Sequence, residues 1–162
     1  MVRRVFFSFH FERDHWRANH VRNSWVTQDG RESAGYIDSG DWEELKRQGD
    51  AAIKRWIRNQ MQNASVTVVL IGAETANRDW VQFEIEESLR EDMGIVGVRV
   101  HRLKDNSGNT DIRGEDPLDE LYVVDGDLLR PSKAFNTYDW KLNDGYENFG
   151  GWVEEAAKKV GR

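Results

Sequence analysis

Three short apolar runs limit the folds that this chain can adopt more strongly than any other feature. They read RRVFFSF close to the amino terminus, SVTVVLIG in the middle of the chain and GIVGVRV further on. Short runs that are rich in β-branched and aromatic residues are typical of buried strands. Strands that are apolar throughout and alternate with helices form a parallel sheet covered on both faces. The sequence therefore predicts an α/β fold, a three-layer sandwich with a mainly parallel sheet.

Helical periodicity is present between the first two runs, in the stretch DWEELKRQGDAAIKRWIRNQM. Apolar residues recur there at the spacing of one helix face, and they are Trp42, Leu45, Ala52, Ile53, Trp56, Ile57 and Met61. We expect one amphipathic helix, weakened at Gly49 because glycine disfavours a helix interior.

Two more helices are predicted after the second run. In NRDWVQFEIEESL, with Asn77 or Asp79 as the cap, one face carries Val81, Ile85, Ser88 and Leu89. The end of the chain has the cap candidates Asn143 and Asp144, followed by the stripe Tyr146, Phe149, Val153, Ala156, Ala157 and Val160. Two polar stretches are predicted to be mobile loops because they lack periodicity or are rich in glycine, and they are TQDGRESAGYIDSGD and KDNSGNTDIRGEDPLDE.

Composition narrows the class of protein. A length of 162 residues is typical of one domain, which we expect to span 1–162. The net charge of -6 disfavours nucleic acid as a partner, and no apolar run reaches the roughly 20 residues of a membrane helix. The opening MVRRVFFSFHF lacks the cleavage pattern of a signal peptide, and the absence of cysteine is usual in a reducing compartment. We therefore expect a cytoplasmic protein that binds neither a membrane nor nucleic acid.

The topology predicts where a site should lie. Open parallel sheets bind ligands beyond the carboxyl ends of their strands, where the strand order reverses. The first predicted strand ends at Ser8, Phe9 and His10, and the segment 74–80 follows the second strand. We expect these two segments to meet at the same edge of the sheet.

One of the three glutamates that follow Trp80 is placed differently from the others. At about 100° per residue, Glu84 lies beside Ile85 on the edge of the packed helix face, one turn after Trp80. Glu86 and Glu87 are predicted to point toward water. A half-buried carboxylate near an indole can hold a polar group of a substrate, so Glu84 is the candidate for chemistry.

Several segments resemble a known family. RRVFFSFHFE resembles the first strand of TIR domains, and RDWVQFEI resembles the TIR segment W-x-x-x-E, whose glutamate is catalytic in NAD-cleaving members. A closer resemblance, from Arg3 to about Val153, is to the TIR-like proteins of the Thoeris anti-phage system, the ThsB type. Five segments carry it in order, namely RVFFSFH, VRNSWVT, SVTVVLIG, WVQFEI and YDWKLNDGYENFGGWV.

The resemblance implies a flavodoxin-like fold and an enzyme with NAD+ as its substrate and no further cofactor or metal. Nicotinamide leaves, and the ADP-ribose unit closes into a cyclic ADP-ribose isomer that serves a downstream effector as second messenger. A phage-derived trigger and self-assembly are also implied. Glu84 matches the family's catalytic glutamate. The implied substrate-binding residues are Ser8, Phe9, His10, Asp38 and Trp80.

Three other interpretations use the same fold, and fold alone does not choose among them. A non-catalytic TIR-like interaction module in signalling makes Glu84 incidental. An enzyme similar to nucleoside deoxyribosyltransferases uses a glutamate nucleophile on deoxynucleosides. A phosphorelay receiver needs an aspartate at the end of the central strand, where this chain has Ile71 and Gly72. Because the region between GVRVHRL and NTYDW is shorter and more acidic than in ThsB-type proteins, the cyclic isomer, or a linear product instead, stays open.

Overall fold

The computed structural model describes residues 2–119, 122–125, 128–131 and 135–162. Its strands are β1 (Arg3–Phe9), β2 (Arg31–Ala34), β3 (Val66–Ile71), β4 (Gly94–Arg99), β5 (Tyr122–Asp125), β6 (Leu128–Pro131) and β7 (Thr137–Asp139). Its helices are α1 (Phe11–Val26), α2 (Ser39–Arg47), α3 (Asp50–Met61), α4 (Asp79–Arg90) and α5 (Gly145–Lys159), with a 3-10 helix over Thr75–Asn77. No helix within the described ranges is long and apolar enough to cross a bilayer.

The central sheet is parallel and has the strand order β2, β1, β3, β4, β7. Val5 of β1 pairs with Val66 of β3, and Val68 of β3 pairs with Val96 of β4. Helices α1 and α5 pack together against the sheet, as do α3 and α4. Right-handed crossovers put these two pairs on opposite faces, because the chain runs from β1 to β2 and from β3 to β4 in opposite directions. This is the predicted three-layer α/β fold, and its strand order reverses at β1 and β3.

The structure contains a helix and an edge strand that the apolar patterns do not predict. Helix α1 follows β1 directly, and the buried residues Asp14 and Arg17 interrupt the apolar stripe by which such a helix is recognised. Strand β2 lies within TQDGRESAGYIDSGD and pairs with β1 at the edge of the sheet. The loop prediction is therefore wrong over Arg31–Ala34.

The single helix predicted after the first strand is two helices, α2 and α3. Gly49 lies between them with φ 96° and ψ 174°, a conformation that is almost restricted to glycine. The N–H of Gly49 donates to the carbonyl oxygen of Lys46 at the end of α2, and the carbonyl oxygen of Gly49 accepts from Ile53 in α3. The continuous helix is thus a wrong prediction, although most of its predicted core residues are buried, namely Trp42, Ala52, Ile53, Ile57 and Met61.

Helix α4 begins at Asp79, and Arg78 occupies its N-cap position. No side chain accepts a hydrogen bond as its cap, so the predicted caps Asn77 and Asp79 are wrong. Asn77 belongs to the preceding 3-10 helix and Asp79 is already the first residue of α4, so Arg78, with extended backbone (φ -90°, ψ 119°), takes the N-cap position. The predicted apolar face is confirmed, since Val81, Ile85 and Ser88 are buried.

Helix α5 begins after Asp144, which holds the N-cap position without a side-chain hydrogen bond. Tyr146 is 71% exposed, so its predicted place in the buried stripe is wrong. At this end of the helix the buried aromatic residue is Trp140, whose ring meets that of Phe149 edge-on at 5.5 Å and fills the space beside Gly145. The rest of the stripe is buried apart from Val160, which follows the last turn, and it comprises Phe149, Val153, Ala156 and Ala157.

The polar stretch KDNSGNTDIRGEDPLDE has neither helix nor strand over 104–119. Two arginines of α1 nevertheless attach it to that helix. Arg13 pairs with Asp111 (Nε to Oδ2, 2.7 Å), and Arg17 Nη2 donates to the carbonyl oxygen of Asn109 over 2.9 Å. The loop assignment agrees with the prediction, and the mobility of the loop stays a prediction.

Asp14 and Arg17 form a buried ion pair within α1, and Arg17 also bonds to the loop after β4. Arg17 Nη1 lies 2.9 Å from Asp14 Oδ1, and Arg17 Nε donates to the carbonyl oxygen of Leu103 over 2.8 Å. The other carboxylate oxygen of Asp14 lies against Gly72, directly after β3, where a Cβ atom would overlap it. Glycine at position 72 is therefore required by the close approach of α1.

Candidate functional site

Glu84 lies on α4 and reaches the end of β1. Ser8 Oγ donates a hydrogen bond to Glu84 Oε1 over 3.2 Å, although the two residues are 76 positions apart in sequence. Glu84 is only 6% exposed, so it is buried more deeply than the predicted half-buried position. The cause is the direct packing of α4 against β1, which covers the edge of the helix face. Two of the predicted site residues thus contact each other.

The environment of Glu84 changes its acidity. Burial raises the pKa of Glu84 to about 8, because apolar surroundings disfavour the charged carboxylate. The hydrogen bond from Ser8 and the positive charge of Arg78 act in the opposite direction, toward a lower pKa. Near neutral pH the carboxyl group is mostly protonated, and a positive charge brought next to it favours the ionised form.

A small cavity of about 30 Å³ adjoins Glu84. A space of that size holds about one or two water molecules. Most of its wall is aromatic, and Arg78 adds a positive charge. The aromatic side chains of the wall are Phe7, Phe9, Phe11, Trp42, Trp56 and Trp80.

Two larger, open depressions border this cavity. The His10 depression, about 450 Å³, shares Arg78 and Trp80 with the cavity wall. The Asp38 depression, about 590 Å³, shares Ile37 and Trp56 with it. The residues that line the His10 depression are His10, Glu74, Asn77, Arg78, Asp79 and Trp80. The Glu84 cavity therefore lies between two surfaces on which the remainder of a larger ligand can rest.

Phe9 and Trp80 are both in the wall of the Glu84 cavity. Phe9 stacks on Tyr36 with ring centroids 6.2 Å apart, and Trp80 meets Phe83 edge-on at 5.9 Å. Each ring is held by another ring, so both are positioned before any ligand arrives. Planar aromatic faces at a cavity wall can stack on the rings of a ligand.

His10 lies outside the cavity wall and lines the His10 depression. It is the N-cap of α1, and its Nδ1 accepts a hydrogen bond from the backbone N–H of Arg13 over 3.2 Å. Burial, together with the positive charge of Arg78, lowers the pKa of His10. The imidazole is therefore neutral at physiological pH, with its proton on Nε2, 3.8 Å from a carboxylate oxygen of Glu74.

Asp38 is separated from the other predicted site residues. It is the N-cap of α2, and its Oδ1 accepts a hydrogen bond from the backbone N–H of Asp41 over 2.9 Å. Its side chain is exposed and lines the Asp38 depression, not the Glu84 cavity. A ligand that touches both Glu84 and Asp38 must extend past Ile37 and Trp56.

Arg78 and Glu12 are site residues that the sequence patterns do not reveal. Arg78 Nη2 lies 2.6 Å from Glu12 Oε2, and Glu12 Oε1 accepts from Trp42 Nε1 over 3.0 Å. Partial burial raises the pKa of Glu12. The hydrogen bonds from Trp42 and Arg78 lower it by more, and the pKa of Glu12 is held at about 2. The sequence signal available for Arg78 is its place two residues before Trp80. Glu12 has no such signal, because its partners are distant in sequence.

The glutamates beyond Glu84 differ from each other. Glu86 is exposed as predicted, whereas Glu87 is only 3% exposed, so the prediction that it points toward water is wrong. Helix α3 packs on that side of α4, and its Arg58 lies 3.4 Å from Glu87. Arg90 approaches the same carboxylate to 2.8 Å. Glu87 therefore joins two helices and is not part of the cavity.

The site combines a buried carboxyl group, aromatic rings and one guanidinium group. The carboxyl group can accept hydrogen bonds from sugar hydroxyls and stabilise a neighbouring positive charge. Across the residues whose positions are described, no three His, Asp or Glu side chains are grouped so as to hold a metal ion. The aromatic rings can stack on a planar ligand, and the carboxyl group can hold a polar group of that ligand.

Comparison with known proteins agrees with this architecture. Residues 6–105 match the family described as "Thoeris protein ThsB, TIR-like domain", a range that contains Ser8, Arg78 and Glu84. A curated relative from Bacillus cereus (strain MSX-D12) is named "Putative cyclic ADP-D-ribose synthase ThsB1". It is 35% identical over an alignment that is 191 positions long and covers 94% of this chain and 100% of the relative. The chain therefore belongs to the ThsB family of TIR-like Thoeris proteins.

Proposed function

We propose that this protein cleaves NAD+ and converts it to a cyclic ADP-ribose isomer. Nicotinamide is the other product, and the cyclic nucleotide is a second messenger for a downstream effector in defence against phage. The observation that carries the proposal is the buried carboxyl group of Glu84, held by Ser8 in an aromatic cavity at the carboxyl end of β1. The name of the Bacillus cereus relative supports the cyclic product.

The chemistry requires a carboxylate beside the reacting sugar. When the bond between ribose C1′ and the pyridine nitrogen breaks, its electron pair stays on the nitrogen and neutral nicotinamide leaves. The ribose becomes an oxocarbenium-like cation, which a neighbouring carboxylate stabilises. A nucleophilic group of the same ADP-ribose unit then bonds to C1′ and closes the ring, and the proton that this group loses passes to water. Glu84 is the residue of the cavity wall with the charge that this step needs.

The raised pKa of Glu84 is compatible with this role. The protonated group stabilises a cation poorly, so the reactive form is the carboxylate. The nicotinamide ring of NAD+ carries a positive charge, and its arrival next to Glu84 favours ionisation of that group. Substrate binding and release of a proton from Glu84 are therefore coupled.

The size of the cavity indicates that its wall moves when the substrate binds. About 30 Å³ is too small for nicotinamide riboside, which is much larger than a water molecule. Trp80 and Arg78 separate the cavity from the His10 depression, so displacement of these two side chains joins the two spaces. A phage-derived trigger or self-assembly of the protein is the event that we expect to stabilise the open form.

Nicotinamide release tests the proposal directly. The purified protein is incubated with NAD+, alone at high concentration and with a lysate of phage-infected cells, and the nucleotide product is identified by mass spectrometry. We expect a cyclic ADP-ribose isomer, and we expect Glu84→Gln to lower the rate by about 10²- to 10⁴-fold. Glu86→Gln, an exposed carboxyl group on the same helix, is the matched control and should leave the rate unchanged. Full activity of the Glu84→Gln protein, or no nicotinamide under either condition, contradicts the proposal.

A further inference from the structure

Arg78 has a position that no other basic side chain of the site shares. It lines both the Glu84 cavity and the His10 depression, and the remaining charged residues of the depression are His10, Glu74 and Asp79. Glu74 and Asp79 repel anions, and the Nδ1 atom of His10 is already used as a helix cap. Arg78 is therefore the residue that attracts an anionic group of a ligand extending from the cavity into the depression.

Arg78 can separate from its ion-pair partner Glu12. Arg78 Nη2 and Glu12 Oε2 are 2.6 Å apart, which is a short, charge-assisted hydrogen bond. Glu12 keeps two other donors on its second oxygen, Trp42 Nε1 at 3.0 Å and Lys46 Nζ at 3.4 Å. Glu12 therefore still has hydrogen-bond partners when Arg78 moves away. An incoming anion can take the place of Glu12 at the guanidinium group of Arg78, and the carboxylate of Glu12 is not left unpaired.

We propose that Arg78 binds the diphosphate of the dinucleotide and exchanges its contact with Glu12 for the phosphate oxygens. This inference rests on the proposed function, because it needs the nicotinamide ribose at Glu84. The diphosphate is joined to C5′ of that ribose, and we place it in the His10 depression with Arg78, because the charged residues of the Asp38 depression, Asp38, Asp41 and Glu44, are all acidic. The planar guanidinium group matches the geometry of phosphate oxygens and binds them with two parallel hydrogen bonds. The same movement takes Arg78 out of the wall and widens the cavity beside Glu84.

The exchange predicts opposite effects for the two partners of the ion pair. Removal of Arg78 weakens the binding of ligands that contain phosphate, whereas removal of the charge on Glu12 strengthens it, since Glu12 competes with the ligand for Arg78. An ion pair that only holds α1 against α4 behaves differently, because loss of either member then weakens binding.

The test measures binding by calorimetry in the Glu84→Gln protein, where turnover is suppressed. The ligands are NAD+ and nicotinamide riboside, which has the reacting bond but no phosphate. Arg78→Gln should lower the affinity for NAD+ by about 10- to 100-fold, the range of a charged hydrogen bond, and change that for nicotinamide riboside by less than about twofold. Glu12→Gln should raise the affinity for NAD+ by about 3- to 10-fold. Arg47→Gln removes an exposed arginine that lines neither space and should change neither affinity.

Thermal unfolding of each variant shows whether it is folded, and Arg78→Lys replaces Arg78→Gln if the latter does not fold. The inference is overturned if Arg78 variants lose affinity for both ligands equally, or if Glu12→Gln weakens NAD+ binding. If one of these two results is obtained but the wild type still releases nicotinamide, the proposed role of Arg78 is wrong and the proposed function stands. If neither ligand binds and no nicotinamide is released, the proposed function fails with it.

Discussion

Ser8 Oγ donates its hydrogen bond to Glu84 Oε1 across the interface between β1 and α4. A hydroxyl group at this point stabilises the charged form of a carboxyl group that burial would otherwise keep protonated. The bond therefore links the position of Glu84 to its ionisation. Both properties matter for a group that has to stabilise a cation.

Replacing Ser8 by alanine should shift the pH dependence of nicotinamide release. Loss of the donor raises the pKa of Glu84 further, so a smaller fraction of the group is ionised near neutral pH. We expect kcat/KM to fall by about 10-fold there, and the difference from the wild type to narrow at alkaline pH. The measurement is a pH–rate profile. Ser88→Ala is the control, since Ser88 is buried on the same helix and bonds to the backbone carbonyl of Glu84 and to Thr67 Oγ1, not to the carboxyl group of Glu84. If both variants give the same profile, Ser8 has no specific effect on Glu84.

The raised pKa of Glu84 predicts that the protein loses stability as the pH rises. Between its ordinary value of 4.5 and about 8, the folded chain holds a proton at Glu84 that the unfolded chain has released. The free energy of unfolding then falls by about 1.4 kcal/mol per pH unit in that window, and the contribution is fully present only below its acidic end.

Glu84→Gln removes this dependence. Between about pH 5.5 and pH 8, the free energy of unfolding of the wild type should fall by on the order of 3 kcal/mol relative to that of the variant, as measured by urea unfolding. Glu86→Gln, on the exposed side of α4, should behave as the wild type does. Parallel curves for wild type and Glu84→Gln would mean that Glu84 is ionised throughout the range.

Breaking the ion pair of Asp14 and Arg17 should be strongly destabilising. Asp14 is completely buried, and burial raises its pKa against the opposing effect of Arg17. Arg17→Met leaves that carboxyl group without its partner, which should lower the free energy of unfolding by about 3 to 5 kcal/mol. Adding Asp14→Asn to Arg17→Met should recover about 1 kcal/mol or more, since the uncompensated charge is gone. A double variant that is no more stable than Arg17→Met contradicts this account.

Gly49→Ala should destabilise the protein although there is room for the methyl group. A Cβ atom at position 49 meets no atom within 4 Å, so the expected loss of about 1 to 3 kcal/mol comes from the backbone conformation alone. Gly151→Ala is the matched opposite case, because Gly151 lies inside α5 with ordinary helical geometry and open space. That variant should be more stable by about 1 kcal/mol. Chemical denaturation measures the change in the free energy of unfolding for each variant. If both substitutions change it in the same direction, the explanation is wrong.

The fold was predictable from sequence where the buried side chains are apolar. The central strands β1, β3 and β4 are largely apolar because helices cover both faces of the sheet, and this pattern is visible in sequence. The edge strand β2 has the polar sequence RESA, since one side of it has no neighbouring strand. Helix α1 was missed because Asp14 and Arg17 are buried as a pair, a compensation that a hydropathy pattern does not contain.

The site was predictable as far as topology places it. The rule for parallel sheets and the helical position of Glu84 were enough to expect it near Ser8. The contact of Glu12 with Arg78 depends on the packing of α1 beside the start of α4, and the burial of Glu87 depends on Arg58 from another helix. Such contacts arise from the relative positions of elements, for which the local sequence carries no signal.

The carboxylate of Asp14 lies so close to Gly72 that the residues at these two positions cannot change independently during evolution of the family. A relative with a larger residue at position 72 has to shorten the side chain at position 14 or displace α1. A shorter side chain at position 14 removes the partner of Arg17, and a displaced α1 moves Arg17 away from the carbonyl oxygens of Leu103 and Asn109. Across aligned relatives, positions 14, 17 and 72 should therefore be replaced together, and insertions or deletions after β4 should be concentrated in lineages that have lost this trio.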